Sequence, residues 1–254
     1  MRRFLTFGCE GPTLIASLDQ APGTTALLIV SGGNEVRAGA HRGMTMLAAR
    51  LAASGVPVLR FDRRGIGDSS GANGGYASSG PDIAAAAALL RREQPQVTRL
   101  VAFGNCDAAS ALALFGREAG IDAVVLANPW AVETSDMPPA AAIRQRYLTR
   151  LADPGSWWRL ATGQVDLVRL FKGLRRIATP EPQLLADRII AAVAAWGSNA
   201  RIILAEGDAT AIAFRAAAAT RRLATPIERI ATASHSFAGT DAASALEAAI
   251  RRAL

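Results

Sequence analysis

The sequence is poor in the side chains that form disulfides and bind metal ions. Its 254 residues include 2 cysteines and 2 histidines. Cys9 and Cys106 lie far apart in the chain, so they predict neither a disulfide framework nor a cysteine-based zinc site. Because His41 and His235 are the two histidines, the chain has few imidazole ligands for a catalytic metal. The sequence therefore implies no metal and no cofactor.

Long hydrophobic runs are also missing. No stretch of about 18 uninterrupted apolar residues is present, so we expect no membrane-spanning helix. The amino-terminal segment has two arginines but is soon interrupted by Glu10, Gly11 and Pro12, and it lacks the continuous apolar core of a signal peptide. We therefore expect a cytoplasmic protein.

Lysine is nearly absent, since Lys172 is the single one, and arginine supplies almost all of the positive charge behind the net charge of +7. A basic surface of this kind would attract nucleic acid, anionic lipid or an acidic substrate. The arginines are scattered and no cluster of aromatic and basic residues is present, so we expect no nucleic-acid partner. A simpler interpretation than an anionic partner is that the arginines lie on the solvent-exposed surface.

What is present is an alternation of apolar strands and helices. Residues 25–33 form a continuous apolar run that ends in glycines, which is typical of a strand buried on both faces. Residues 41–55 and 107–120 have apolar side chains at helical spacing. Residues 2–8 and 11–19 instead predict a short antiparallel pair. We therefore expect an α/β fold in which a mostly parallel sheet has helices on both faces.

One interval breaks this alternation. Residues 131–198 contain no comparable buried strand but hold arginine-rich helical segments and the adjacent tryptophans Trp157 and Trp158. Because a structureless loop of that length is uncommon, we expect a helical lid over the carboxyl ends of the strands, inserted into a core of residues 1–130 and 199–254. The alternative is that its basic amphipathic helices lie on an anionic membrane.

The sequence "GNCDAA" follows a predicted strand and opens a predicted helix, with Cys106 at the apex of the turn. Gly104 and Ala108 are small, as a strained turn between closely packed elements requires. The helix would aim its amino-terminal amides at the sulfur and favour its thiolate. This pattern indicates a nucleophile. The alternative is that Cys106 is simply a small buried residue, as free cysteines often are.

A nucleophilic cysteine needs an imidazole to accept its proton and a carboxylate to orient the imidazole. His235 is the one histidine after Cys106, and it follows the last predicted strand. Asp208 follows the penultimate strand. Enzymes with such a turn have the chain order nucleophile, acid, histidine. We therefore predict that Cys106, Asp208 and His235 meet at one edge of the sheet.

Other polar residues are weaker candidates. His41 precedes the nucleophile, and we favour a solvent-facing position near a helix start over a place in the pocket. Glu206 lies within a strand run, and Asp241 opens the last helix, where its charge suits the helix dipole. Asp62 and Asp68 belong to a glycine-rich loop, and we expect them to hold that loop in shape rather than to perform chemistry.

At these residues the chain resembles the α/β-hydrolase superfamily over essentially its whole length. The resemblance rests on "FDRRGIGDSSG", "GNCDAA", "GDAT" and "SHSF". More narrowly, "GNCDAASAL", "RLADPGSWWRL" and "EGDATAIAF" resemble the type 1 hydrolases of exosortase A systems, which are associated with exopolysaccharide production and protein sorting. The superfamily implies hydrolysis or acyl transfer, and its usual serine is replaced here by cysteine, as in the dienelactone hydrolases.

An oxyanion hole made of two backbone amides is expected beside the nucleophile. One donor would be Asp107, directly after Cys106. The other should come from the loop after the strand at 25–30, where Gly33 and Asn34 are the best-placed donors. The alternative interpretation of that loop is an ordinary strand-to-helix turn.

These observations predict a hydrolase that cleaves a carboxylic ester or thioester through a covalent acyl-enzyme. Cys106 would be the nucleophile, His235 the general base and then acid, and Asp208 the orienting carboxylate. The expected partner is a small-molecule acyl substrate with an apolar acyl part. Two alternatives stay open: an acyltransferase of the same fold, or a non-catalytic partner of an exosortase or exopolysaccharide apparatus that associates with an anionic membrane.

Overall fold

The structure is a computed structural model, and it describes residues 1–132 and 184–254. Within these residues eight strands form one sheet in the order β1-β2-β4-β3-β5-β6-β7-β8. The strands are β1 (Arg2–Gly8), β2 (Thr13–Asp19), β3 (Thr25–Val30), β4 (Val58–Phe61), β5 (Arg99–Asn105), β6 (Ala123–Ala127), β7 (Ala200–Ala205) and β8 (Ile227–Ile230).

Helices follow most of the parallel strands. In the described part of the chain they are α1 (Gly43–Ala53), α2 (Gly80–Glu93), α3 (Asp107–Phe115), α4 (Leu184–Ala195), α5 (Ala209–Thr220) and α6 (Thr240–Arg251). None of these helices is long and apolar enough to cross a bilayer.

The sheet is parallel except at one edge. Strand β1 pairs antiparallel with β2, and β2 pairs antiparallel with β4. Strands β4, β3, β5, β6, β7 and β8 run parallel to one another. Their carboxyl ends therefore meet at one edge, and the loops after β3, β5, β7 and β8 emerge there together. The expected antiparallel pair and the mostly parallel sheet are both confirmed.

Two apolar layers cover the two faces of the sheet. Along β3, Leu27 and Ile29 face α1 and α6, whereas Leu28 and Val30 face α2, α3, α4 and α5. Each of these four side chains is almost completely buried. Because a strand covered on both faces needs apolar residues at successive positions, β3 has a continuous apolar sequence rather than an alternating one.

The last part of the interval expected to be a lid, 131–198, is helix α4. Ile189 and Val193 of this helix are fully buried in the layer beside α3 and α5. Trp196, which follows α4, is 3% exposed and donates an indole hydrogen bond of 3.0 Å to the Ala113 carbonyl. This stretch therefore packs on the sheet core. Residues 133–183, where the rest of the predicted lid falls, lie outside the described residues.

Candidate active site

The turn between β5 and α3 consists of Cys106 alone. Its backbone has φ 61° and ψ −127°, a conformation that is uncommon for a residue with a side chain. Neighbouring backbone groups hold it there: Cys106 N–H donates to Ala127 O at 3.0 Å, and Trp130 N–H donates to Cys106 O at 3.2 Å. The strained turn leaves the sulfur partly exposed at the carboxyl edge of the sheet.

Glycine is required at position 104 because helix α3 passes directly over it. A Cβ atom there would lie 2.8 Å from the Ala108 carbonyl carbon and 2.9 Å from the Ala109 nitrogen, both of them backbone atoms. Gly104 thus allows the first turn of α3 to approach the end of β5, and this approach brings the amino-terminal amides of the helix close to Cys106.

The carboxylate and the imidazole predicted for the site are in contact. Asp208 caps the amino terminus of α5, where its Oδ2 accepts a 2.9 Å hydrogen bond from the Ala211 amide. Its Oδ1 lies 2.9 Å from Nδ1 of His235, in the loop after β8. Because an ionised carboxylate can only accept, the proton of this bond lies on Nδ1. Nε2 is then the nitrogen left to exchange a proton with a nucleophile.

The position of this imidazole sets its protonation state. The hydrogen bond with Asp208, followed by the interaction with the Cys106 side chain, raises the pKa of His235 to about 10, although burial acts in the opposite direction. An imidazolium is therefore the favoured form at neutral pH. His235 thus interacts with Asp208 on one side and with the Cys106 side chain on the other, and the three side chains predicted for the site lie together at the carboxyl edge of the sheet.

Two asparagines that the sequence reasoning missed hold the histidine loop. The His235 carbonyl accepts hydrogen bonds from Asn105 Nδ2 at 3.0 Å and from Asn128 Nδ2 at 3.1 Å. Asn128 is completely buried and also donates to Asn105 Oδ1 at 3.1 Å, while its Oδ1 accepts from the Ala205 amide at 2.9 Å. These bonds tie the ends of β5, β6 and β7 to the His235 loop.

The loop after β3, which carries the predicted oxyanion donors Gly33 and Asn34, approaches the turn closely. A Cβ atom at Gly32 would lie 2.4 Å from the Asn105 carbonyl oxygen, so glycine is needed for this approach. Gly33 N–H donates to Asp107 Oδ1 at 2.5 Å and is therefore already occupied by that carboxylate. The backbone N–H groups of Asn34 and Asp107 donate to no other group in the described part of the chain. These two amides are left as the available donors.

The glycine-rich loop after β4 supports the loop after β3. Asp62 is fully buried and accepts hydrogen bonds from the Arg37 amide at 2.6 Å and the Asp68 amide at 3.2 Å. The guanidinium of Arg37 also forms ion pairs with both Asp62 and Asp68. These contacts give both carboxylates the structural role expected from the sequence.

The other titratable candidates take different positions. His41 is exposed in a short turn before α1. Glu206 is exposed and lies 3.6 Å from the Arg229 guanidinium, and Asp241 is exposed in the first turn of α6. Cys9 is buried 3.4 Å from Asp82, and burial together with this carboxylate raises the pKa of its thiol to about 11. The Cys9 thiol is therefore a weak nucleophile at neutral pH.

Glu35 is a further carboxyl beside the site that the sequence reasoning did not single out. It lines a small pocket with Phe103, Ser236 and Phe237, between the loops after β3 and β8. Burial raises its pKa, whereas the 2.6 Å hydrogen bond from the Ala40 amide and the charge of His235 act in the opposite direction. No group of three or more His, Cys, Asp or Glu side chains in the described ranges could hold a metal ion.

Comparison with known proteins places this chain in a family. The family model described as serine aminopeptidase, S33, matches residues 23–178. The chain therefore belongs to this family of α/β hydrolases, and the predicted α/β-hydrolase fold is confirmed. The family description names serine, whereas the apex of the turn in this chain is Cys106. A comparison with curated proteins finds no match.

Solved structures with the same fold are similar over nearly the whole chain. An esterase from Pyrococcus furiosus matches with a TM-score of 0.63 and 14% identity, covering 99% of this chain and 91% of its own. A Xanthomonas campestris protein described as a serine hydrolase without a lid has a TM-score of 0.61 and 17% identity, covering 100% and 95%. The thioesterase domain from the curacin biosynthetic pathway has a TM-score of 0.57 and 14% identity, covering 99% of both chains.

Proposed function

We propose that this protein cleaves carboxylic esters or thioesters by nucleophilic catalysis at Cys106. The observation that carries the proposal is the group formed by Cys106, His235 and Asp208, in which Nδ1 of His235 lies 2.9 Å from Oδ1 of Asp208 and the same imidazole interacts with Cys106. Family membership supports hydrolysis as the reaction class. A sulfur at this position is intrinsically a better nucleophile than a neutral hydroxyl.

In the acylation step, the Cys106 thiolate attacks the acyl carbon and a C–S bond forms. The carbonyl oxygen becomes an oxyanion, which two backbone amides would stabilise. When this intermediate collapses, the bond to the leaving alcohol or thiol breaks, and the His235 imidazolium gives the leaving group its proton. Asp208 keeps the imidazole oriented through Nδ1.

In the deacylation step, the neutral His235 takes a proton from water, and the resulting hydroxide attacks the thioester carbon. The C–S bond breaks, the carboxylic acid leaves, and the Cys106 thiolate is restored beside the imidazolium. An alcohol or amine in place of water would make the same chemistry an acyl transfer. The Cys106 thiolate departs from the tetrahedral intermediate more readily than an amine does, so an amide substrate would return to its starting form. Esters and thioesters therefore suit this site better than amides.

The names of the similar structures agree with this substrate class, since one is an esterase and another a thioesterase domain. The finer assignment to the exosortase A system-associated type 1 hydrolases rests on three sequence motifs, at 104–112, 150–160 and 206–214. From that resemblance we propose an acyl substrate linked to exopolysaccharide production or protein sorting, and a peripheral association with anionic membrane. Sedimentation of the purified protein with anionic vesicles tests the association.

The test of the catalytic proposal compares two cysteine variants. The substrates are 4-nitrophenyl butyrate and a short acyl thioester, and circular dichroism checks the fold of each variant. We expect Cys106→Ala to lower kcat at least about 100-fold, because no covalent intermediate can form. Cys9→Ala removes the other thiol, which is buried away from the site, and should leave kcat within about twofold.

Equal rates for the folded Cys106→Ala variant and the wild type would refute the nucleophile. Loss of activity in Cys9→Ala with an intact fold would point to the wrong cysteine. Adding alcohol or amine acceptors and measuring transfer products separates the acyltransferase from the hydrolase. A wild-type protein that turns over no activated ester and leaves Cys106 unlabelled by iodoacetamide would support the non-catalytic alternative.

A further inference from the structure

Two charged side chains hold the peptide groups on either side of Gly33, in the loop after β3. Asp107 Oδ1 accepts a 2.5 Å hydrogen bond from Gly33 N–H. Arg63 Nη2 donates a 2.7 Å hydrogen bond to Gly33 C=O. Arg63 Nη2 also lies 3.2 Å from Asp107 Oδ2, so the carboxylate and the guanidinium pair with each other while they hold one residue between them.

This pair is built into the protein rather than lying on its surface. Arg63 is 4% exposed, and its Nη1 donates a 2.9 Å hydrogen bond to Ser79 Oγ before helix α2. Asp107 is the first residue of α3, where a negative charge is favoured by the helix dipole. Charges in such sites are costly to bury unless each is satisfied by partners, and here both are.

The bond from Arg63 fixes the direction of the next amide. Gly33 C=O and Asn34 N–H belong to one peptide group, which is planar and trans, so the oxygen and the hydrogen point in opposite directions. Because Gly33 C=O points at Arg63, Asn34 N–H points away from it. Gly33 itself has φ +55°, so the peptide group before it can turn its N–H to Asp107 without strain.

We propose that Arg63 and Asp107 are positioning residues that orient Asn34 N–H as the loop's donor to the oxyanion. The inference rests on the function proposed above. Asp107 then has two parts in the oxyanion hole: its backbone N–H is one donor, and its carboxylate fixes the loop that carries the other. Gly33 N–H, which the sequence also favours as a donor, serves to anchor the loop.

The experiment replaces Asp107 and separates two kinds of chemistry at Cys106. Ester cleavage passes through an oxyanion, whereas alkylation by iodoacetamide is a displacement at carbon that forms none. We therefore expect Asp107→Ala to lower kcat for 4-nitrophenyl butyrate about 10- to 100-fold, with KM changed less than about threefold. The maximal alkylation rate of Cys106, taken from its pH profile, should stay within about twofold.

Two further variants sharpen the result. Asp107→Asn keeps an oxygen that can accept from Gly33 N–H, and we expect it to restore part of the lost kcat. Asp122→Asn is the matched control, because Asp122 also accepts from a backbone amide, that of Leu100 at 2.7 Å, and lies 3.6 Å from Arg91. It belongs to the chain between α3 and β6 and should leave kcat unchanged.

The possible outcomes are distinct. A folded Asp107→Ala variant with wild-type kcat would overturn the inference while leaving the proposed function intact. An increase in kcat would also overturn it, since the carboxylate would then be obstructing Gly33 N–H as the true donor. An equal fall in kcat and in alkylation rate would mean that Asp107 supports the cysteine rather than the oxyanion hole. A wild-type protein without turnover at Cys106 would instead refute the proposed function.

Discussion

Replacement of Asn128 by alanine should destabilise both the sheet edge and the candidate site. Asn128 is completely buried, and its side chain makes three hydrogen bonds, to Asn105, to the His235 carbonyl and from the Ala205 amide. The two donated bonds contribute about 1 kcal/mol each, and an unsatisfied buried Ala205 N–H costs about 1–3 kcal/mol. The backbone φ of +41°, which asparagine tolerates, adds about 1 kcal/mol for alanine.

These contributions predict a fall of about 4–6 kcal/mol in the free energy of unfolding for Asn128→Ala, a large part of the stability of an ordinary domain. Urea denaturation followed by tryptophan fluorescence measures it, with the m-value expected to stay constant. Asn199→Ala is the control, because Asn199 is exposed and its side chain bonds to no described residue. It should change stability by less than about 0.5 kcal/mol.

Asn128→Asp separates hydrogen bonding from packing volume. It keeps the oxygen that accepts from Ala205 N–H but places a carboxylate against the oxygens of His235 and Asn105. We expect a loss of at least about 2 kcal/mol at neutral pH, partly recovered at low pH when the carboxyl becomes protonated and can donate. A loss below about 1 kcal/mol in both variants would refute this account of the sheet edge.

Two further predictions follow from the turn and from the histidine. Gly104→Ala places a methyl group 2.8 Å from the backbone of α3, so it should lower thermal stability and reduce kcat more than about tenfold, whereas Gly8→Ala, where no atom lies within 4 Å, should do neither. A Gly104→Ala protein with normal kcat would contradict the close approach.

The raised pKa of His235 makes stability depend on pH: its contribution is complete below about 6.5 and is lost as pH rises through about 10. The full shift would amount to about 5 kcal/mol, but the side chain is 41% exposed, so we expect about 1–2 kcal/mol. Urea denaturation between pH 6 and pH 10 should show this loss in the wild type and much less of it in Asp208→Asn. Equal pH dependence in the two proteins would contradict the assignment of the shift to Asp208.

The sequence predicted the fold because the sheet has a simple signature. A strand covered on both faces is apolar at every position, as Leu27 to Val30 are, and such runs separated by helices leave few alternatives to a parallel sheet. The helix expected over 107–120 is shorter, since α3 ends at Phe115 and the chain turns towards Gly120, whose φ is +73°. Gly120 therefore ends the turn that follows α3, and not the helix itself.

The positions of Cys106, Asp208 and His235 after successive strands could be predicted from the sequence for a similar reason. Each residue follows a strand, and the carboxyl ends of parallel strands meet at one edge. The hydrogen bonds that hold the His235 loop could not be predicted from the sequence. The amides of Asn105 and Asn128 act across gaps of 130 and 107 residues to reach the His235 carbonyl, and no local periodicity marks such bonds.

The loop after β3 shows most clearly what the sequence alone cannot predict. The sequence indicates that Gly33 and Asn34 lie near the nucleophile, but the choice between their amides depends on where each peptide group points. That direction is set by Asp107 and Arg63, which lie 74 and 30 residues from Gly33. A position after each strand can be predicted from order alone, whereas the orientation of a peptide group requires the side chains that hold it.

The most direct test of the central claim is to look for the covalent intermediate. The wild-type protein is mixed with 4-nitrophenyl butyrate, quenched in acid within the first turnover and measured by intact-protein mass spectrometry, followed by peptide mapping. The account predicts one butyryl group per chain, located on Cys106 and released by neutral hydroxylamine. Turnover with no adduct on Cys106, or with the acyl group on another residue, would contradict it.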